Sequence, residues 1–167
     1  MPRLQKLPKV VFRLMRLPPR VIYALGLGSI MGRLVLLLTT RGRKTGRQYI
    51  TPLQFAKDRN HLLLGSMRGK EADWYRNIVA DPHVSVQLGS RQFEAVAEPI
   101  EDPEQITDFL ELRLSRHPRM IASMLRAEGL APPWTREKLA GYARQIAVVA
   151  IPVSKSYVEP EESRISD

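Results

Sequence analysis

Leu34-Val35-Leu36-Leu37-Leu38-Thr39-Thr40 is a short apolar, β-rich run that ends in the turn Arg41-Gly42-Arg43-Lys44-Thr45-Gly46. Seven residues are too few for a buried helix, and flanking glycines with β-branched residues favour a strand. A second strand should return through Tyr49 to Ala56, and after the charged turn Lys57-Asp58-Arg59-Asn60 a third should run from His61 to Met67. The chain from position 34 therefore opens as a meander of antiparallel strands.

Further along, the loop Arg68 to Ala72 leads to Asp73, placed to cap a short helix that carries Trp74, Tyr75, Ile78 and Val79 and stops at Asp81-Pro82. His83 to Leu88 alternates with period two, Gly89-Ser90 is a tight-turn pair, and Arg91 to Ile100 alternates again through Phe93, Ala95 and Ala97. Asp102-Pro103 is a cap followed by proline at the first helical position, predicting a helix to about Arg116, and more helix should follow from Arg119 to about Arg126. Thr135 can cap one further short helix, and Gln145 to Ile151 reads as a last, buried strand. Hairpins interrupted by a short helix and closed by a final strand after a helical excursion predict a small barrel, not a doubly wound sheet. The expected class is α+β, mainly β, with about six antiparallel strands.

Upstream, Lys6, Lys9, Arg13, Arg16 and Arg20 recur at alternating three- and four-residue steps, and Val10, Leu14, Leu17 and Val21 follow one position later. That spacing predicts an amphipathic helix with a basic face, broken at Pro18-Pro19 and continued by a second helical segment to Met31. Such a face can rest on anionic lipid or simply be solvated. The expected organisation is thus N-terminal helices over 1–33, a barrel over 34–153 and a polar tail over 154–167.

Composition narrows the chemistry. The 167 residues include no cysteine, which excludes disulfides, thiolate metal sites and a cysteine nucleophile. Basic residues interrupt the first twenty positions, so no signal peptide is expected, and no apolar run approaches the roughly 20 residues of a membrane span. The net charge is +9, and the twelve Lys and Arg residues from Arg3 to Lys57 precede the first acidic residue, Asp58. Anionic partners follow: phosphates, an acidic coenzyme, nucleic acid or a lipid surface. Nucleic acid is not expected, since aromatic residues make up 7% of the chain and the strands lack the basic and aromatic alternation of a stacking platform.

Familiar signatures fail. Gly26 to Gly32 has one residue too many for a dinucleotide fingerprint, Arg43 stands where a P-loop ending in Lys44-Thr45 needs glycine, and Gly65-Ser66 lacks the spacing of a nucleophile elbow. His61, His83 and His117 are scattered, so no metal site is predicted. What survives is the turn from Thr39 to Arg47, whose Arg41, Arg43, Lys44 and Arg47 can bring charges and backbone N–H groups onto a multiply anionic ligand.

The ordered set Leu-Leu-Thr-Thr-x-Gly-Arg-Lys-Thr-Gly, Thr51-Pro52-Leu53, the Ser66 to Gly69 loop, Trp74-Tyr75-x-Asn77 and Ala80-Asp81-Pro82-x-Val84-x-Val86 resembles the deazaflavin-dependent nitroreductase family. The resemblance covers roughly Leu34 to Val153. It implies a split β-barrel of the flavin-binding type, often dimeric, and coenzyme F-420, a hydride-carrying deazaflavin with a phosphate and an oligoglutamate tail, or alternatively flavin mononucleotide. It implies that Arg43, Lys44 and Thr45, with Arg47, hold the phosphate and acidic tail, and that Thr51 and Pro52 line the groove. Ser66, Met67, Arg68 and Gly69 would meet the ring edge, Trp74 and Tyr75 would wall the pocket, and Tyr75, Ser66 or water would supply a proton. Tyr49 stands where many members carry arginine, and Gln54 where an aromatic residue is common.

The expected function is transfer of hydride from the reduced deazaflavin to an apolar, electron-poor acceptor such as a quinone, an enone or a nitro compound. The location expected is cytoplasmic, on the inner face of the membrane if the basic helix serves as a foot. The competing function is a non-catalytic lipid or nucleic-acid binder.

Overall fold

The computed structural model describes residues 35–66 and 68–153. The expected basic helix with Lys6, Lys9, Arg13, Arg16 and Arg20, the expected polar tail and Met67 fall outside the described residues. Seven strands form one antiparallel sheet in the order β5-β4-β1-β2-β3-β7-β6, and the whole is a split β-barrel of the α+β class.

The first three strands are β1 (Val35–Arg41), β2 (Gln48–Asp58) and β3 (His61–Ser66). Their registers are those of consecutive hairpins, with Leu38 opposite Thr51 and Phe55 opposite Leu64. After β3 a single 3-10 turn, Gly69–Glu71, leads into helix α1 (Asp73–Ala80). Gly69 has φ of +58°, and a Cβ there would stand 2.4 Å from the carbonyl oxygen of Gln145, so both backbone conformation and space demand glycine. Strands β4 (His83–Leu88) and β5 (Arg91–Val96) make the next hairpin.

The alternation from Arg91 to Ile100 is divided between two strands. The N–H of Ala97 donates to the carbonyl of Pro82 at 2.8 Å, and the chain then crosses to the far edge of the sheet as β6 (Glu98–Ile100), paired with the last strand. Pro99 has no N–H to give, which an edge strand tolerates. The count is therefore seven strands instead of about six.

Helices α2 (Pro103–Arg116), α3 (Pro118–Ala127) and α4 (Arg136–Ala143) form the insertion before β7 (Ala147–Pro152). Asp102 accepts a hydrogen bond from the N–H of Glu104, and Thr135 from that of Lys138, the caps expected from sequence. Arg136 gathers Glu104 and Asp108 at 2.8 Å each, and also Glu111, linking α4 to α2.

Two apolar layers share the sheet. Inside the barrel, Leu36, Leu38, Leu62, Leu64, Val84, Val86, Val149 and Ile151 share one core with Trp74, Tyr75 and Ile78 of α1. Outside, Leu63 and Val148 meet Phe109, Leu110, Ile121, Leu125 and Leu139 of the three larger helices. Strands β3 and β7 are apolar at consecutive positions because both of their faces are covered. The outer face of β1, β4 and β5 is left open as a groove of about 1120 Å³ lined by Leu37, Thr39, Ile50, His83 and Gln92.

Candidate functional site

The β1–β2 turn and the first turn of α1 face each other across a cleft of about 370 Å³. Gly42, Arg43, Lys44 and Thr45 form one side, Tyr49, Ile50 and Thr51 of β2 a second, and Asp73, Trp74 and Asn77 of α1 the third. Antiparallel pairing sets the first two sides, since Arg41 lies opposite Gln48 and everything between must turn within six residues.

The turn is held from inside. The N–H of Gly42 donates to the carbonyl of Arg47, and that of Gly46 to the carbonyl of Gly42, each at 2.7 Å. Thr45 accepts from the N–H of Arg47 at 3.3 Å and shares a 3.0 Å hydrogen bond with the hydroxyl of Tyr49. The Tyr49 ring lies so close over Gly42 that a Cβ there would come within 2.4 Å of it. Tyr49, a departure from the arginine common at its position, thus braces the turn.

It is also held from α1. Asn77, 4% exposed, accepts from the backbone N–H of Arg43 at 3.2 Å and from its guanidinium at 3.1 Å, and donates to the hydroxyl of buried Thr40 at 3.2 Å. Asp73 accepts from both terminal nitrogens of Arg43 at 3.2 Å. Asp73 is therefore no cap: the cap position is Ala72, which has no side-chain hydrogen bond, and the Asp73 carboxylate is spent on Arg43. Asp73 and Asn77 share a helix face because they are four residues apart, a spacing from which their common partner could have been sought.

The cationic side chains consequently differ in availability. Arg43 is tied to α1, its side chain 24% exposed, whereas Lys44 and Arg47, exposed residues like Arg43, form no ion pair with a described residue. Lys44 lines the cleft; Arg47 and Pro52 do not. Trp74 supplies a wall although 7% exposed overall, its ring meeting Tyr75 edge-on at 6.2 Å. Tyr75 itself, 4% exposed, sits in the barrel core. Ser66 and Gly69 are buried and Arg68 is exposed, all outside this cleft. Arg43, Lys44, Thr45, Thr51 and Trp74 are therefore brought together; Ser66, Tyr75, Pro52, Arg47, Arg68 and Gly69 are not. The cleft residues that had been given no part in the ligand site are Asn77, Asp73, Tyr49, Gly42 and Ile50.

On the open outer face, Asp81 lies 2.9 Å from the imidazole of His83, whose hydrogen bonds hold the exposed carboxyl below its ordinary range.

Residues 23–119 match the family model described as F420H(2)-dependent quinone reductase. The chain belongs to this family. A relative from Mycobacterium tuberculosis strain H37Rv, the F420H(2)-dependent quinone reductase Rv1261c, is 34% identical over 74 residues, which cover 41% of this chain and 50% of the relative. The chain thus spans about half the length of the curated relatives it matches. Among solved structures, the F420-H2 dependent reductase FDR-A superposes with a TM-score of 0.50 at 24% identity, covering 71% of this chain and 94% of that one. A conserved hypothetical protein of M. tuberculosis, Rv2991, superposes at 0.52 with 17% identity, over 90% of this chain and 94% of its own. These two share the fold with the quinone reductase family member described here.

Proposed function

We propose that this protein binds coenzyme F-420 in the cleft between the β1–β2 turn and α1 and uses it to reduce an apolar, electron-poor acceptor, a quinone first of all. The observation that carries this reading is Lys44, an exposed cation in a cleft that also offers the Thr45 hydroxyl and the first turn of a helix. A compact ammonium, a hydroxyl and the positive end of α1 suit a phosphate. Arg47, exposed just beyond, extends the cationic surface toward an oligoglutamate tail.

In this reading the bound deazaflavin supplies the hydride, and the protein supplies binding and orientation. Lys44 and Thr45 hold the phosphate, and Arg43 positions the turn through Asp73 and Asn77. Thr51 and Trp74 wall the groove, and a ring reaching beyond this cleft would meet the loop from Ser66 to Gly69 through its exposed residue, Arg68. Tyr75 and Ser66 are 4% and 6% exposed, so the proton that accompanies the hydride is assigned to water reaching the open cleft.

A fluorescence titration of F-420 with the protein, run beside flavin mononucleotide, tests the cofactor. Saturable F-420 binding with no flavin binding is expected, followed by oxidation of reduced F-420 when a soluble quinone is added. Preferential flavin binding would move the protein to the alternative coenzyme, and capture of neither would reject the proposal.

Peripheral contact with anionic membrane through Lys6, Lys9, Arg13, Arg16 and Arg20 is a second part of the proposal, supported by their helical spacing. Among the described residues no helix is long and apolar enough to cross a membrane. The full chain should float with vesicles containing anionic lipid, and equal flotation after deletion of residues 1–31 would reject the foot.

A further inference from the structure

The chain carries 26 Lys and Arg against 17 Asp and Glu, yet five of those acids surround one cavity. Asp58 at the end of β2, Glu98 of β6, the linker residues Glu101 and Asp102, and Asp108 of α2 line a space of about 600 Å³, and no lysine or arginine is among its lining residues. All five acids are exposed. Arg136 answers Asp108 but is shared with Glu104 and Glu111, while Asp58, Glu98 and Glu101 form no ion pair with a described residue. Beneath them the lining is apolar, with buried Leu63 and Phe109 beside half-buried Ile100 and Leu112. An acidic rim around an apolar floor is the counterpart of a helix that sets a basic stripe beside an apolar one.

The occupant is indicated by where the chain enters the sheet. Strand β1 pairs with β2 from Val35 opposite Gln54, whereas β2 runs on to Asp58 with β3 along its other edge. In an antiparallel pair the residues before Val35 approach from beside those after Gln54, so the chain comes into the sheet from the Asp58 end. Asp58 stands four residues past Gln54, ~13 Å along the strand, and it belongs to the acidic rim. The 14 residues between Arg20 and Val35 can span up to ~45–50 Å. The stretch from Lys6 to Val21 is therefore tethered within reach of the cavity, at a high effective concentration.

We propose that the segment from Lys6 to Val21 docks as a helix across this cavity of its own chain. Its basic face, Lys6, Lys9, Arg13, Arg16 and Arg20, meets the carboxylates of the rim, and Val10, Leu14, Leu17 and Val21 cover the apolar floor. The five cations and the five acids neutralise each other, which relieves repulsion within each set. Docked, the segment lies on the α2 side of the sheet and its basic face is withdrawn from other anions, so anionic lipid and the groove are alternative seats for it. The inference is separate from the coenzyme reading, and its test is made without coenzyme or lipid.

Carbodiimide, which joins a lysine ammonium to a carboxylate without a spacer, reads the contact in the full chain. Peptide mapping of the monomeric product should find Lys6 or Lys9 linked to Asp58, Glu98, Glu101 or Asp102. The yield should fall about fivefold between ~20 mM and ~500 mM salt, because exposed charge pairs are screened. In the full-length variant carrying Arg13→Glu and Arg16→Glu, the same links should be lost. With excess glycinamide present, Asp58, Glu98 and Glu101 should be modified about threefold faster in that variant than in the parent, as a segment docked two-thirds of the time would cause. Glu94 and Glu137, which lie away from the cavity, should react equally in both. The proposal is overturned by absence of the links in the monomer, by a yield indifferent to salt, or by equal modification of the three acids in parent and variant. Links confined to covalent dimers would give the groove to another copy's segment and overturn it as well.

Discussion

Replacing Lys44 by methionine is expected to raise the dissociation constant for coenzyme F-420 by roughly ten- to a hundredfold while leaving the melting temperature within about 2 °C. A hydrogen bond to a charged group contributes ~1.5–3 kcal/mol, and Lys44 has no ion pair with a described residue to lose when it is removed. Arg43→Met should behave differently. Its guanidinium serves Asp73 and Asn77, so the variant should lower Tm as well as affinity, through a displaced turn. Neutralising both should abolish capture of the coenzyme in a protein that still melts cooperatively. Fluorescence titration at low and high salt, with circular dichroism melts alongside, separates these outcomes. Binding by the double variant as tight as in the parent would remove the foundation of the proposed function.

The contrast between two neighbouring cations also marks the boundary of what sequence made legible. A turn rich in Arg and Lys between two apolar strands could be recognised as an anion site from charge alone. Which cation is free could not, because that depends on Asp73 and Asn77, some 30 residues further on. Their i, i+4 spacing was visible, but Asp73 also fitted the role of a cap, and only the approach of α1 to the turn decides between the two. Tyr49 and Gln54, readable only as departures from the family pattern, prove to have partners of their own, Thr45 and Arg113.

The same limit applies to the fold. Strands β1 to β4 and the capped helices α2 and α4 followed from local pattern, because alternation, caps and prolines act within a few residues. The division of β5 from β6 did not. Ala97 is 2% exposed and continues the inward alternation of Phe93 and Ala95, so the period of two runs unbroken while the strand changes partner. Alternation reports which way a side chain faces, not which edge of the sheet the backbone joins. Likewise the consecutive leucines of β3 announce burial on both faces without saying that a barrel interior lies on one and three helices on the other.

Asn77→Leu should cost about 3–5 kcal/mol and lower Tm by roughly 10 °C, the largest loss of stability expected from a single change at the cleft. The leucine fills similar volume, so the loss comes from polar groups, not from a cavity. It leaves the buried hydroxyl of Thr40 and the backbone N–H of Arg43 without their partner, and each such group carries a penalty of ~1–3 kcal/mol. Release of the Arg43 guanidinium adds to this, and coenzyme affinity should fall together with Tm. Asn77→Asp provides the necessary contrast. One carboxylate oxygen can still accept from Arg43, and the other can accept from Thr40, whose hydroxyl rotates to donate. Stability should therefore stay within about 1–2 kcal/mol of the parent, while the added negative charge beside Lys44 repels a phosphate and weakens coenzyme binding. Thermal melts and F-420 titrations of both variants would read the two effects independently. If the leucine variant melts with the parent, Asn77 does not fasten the turn to α1, and the cleft is held open by the hairpin and the Arg43–Asp73 pair.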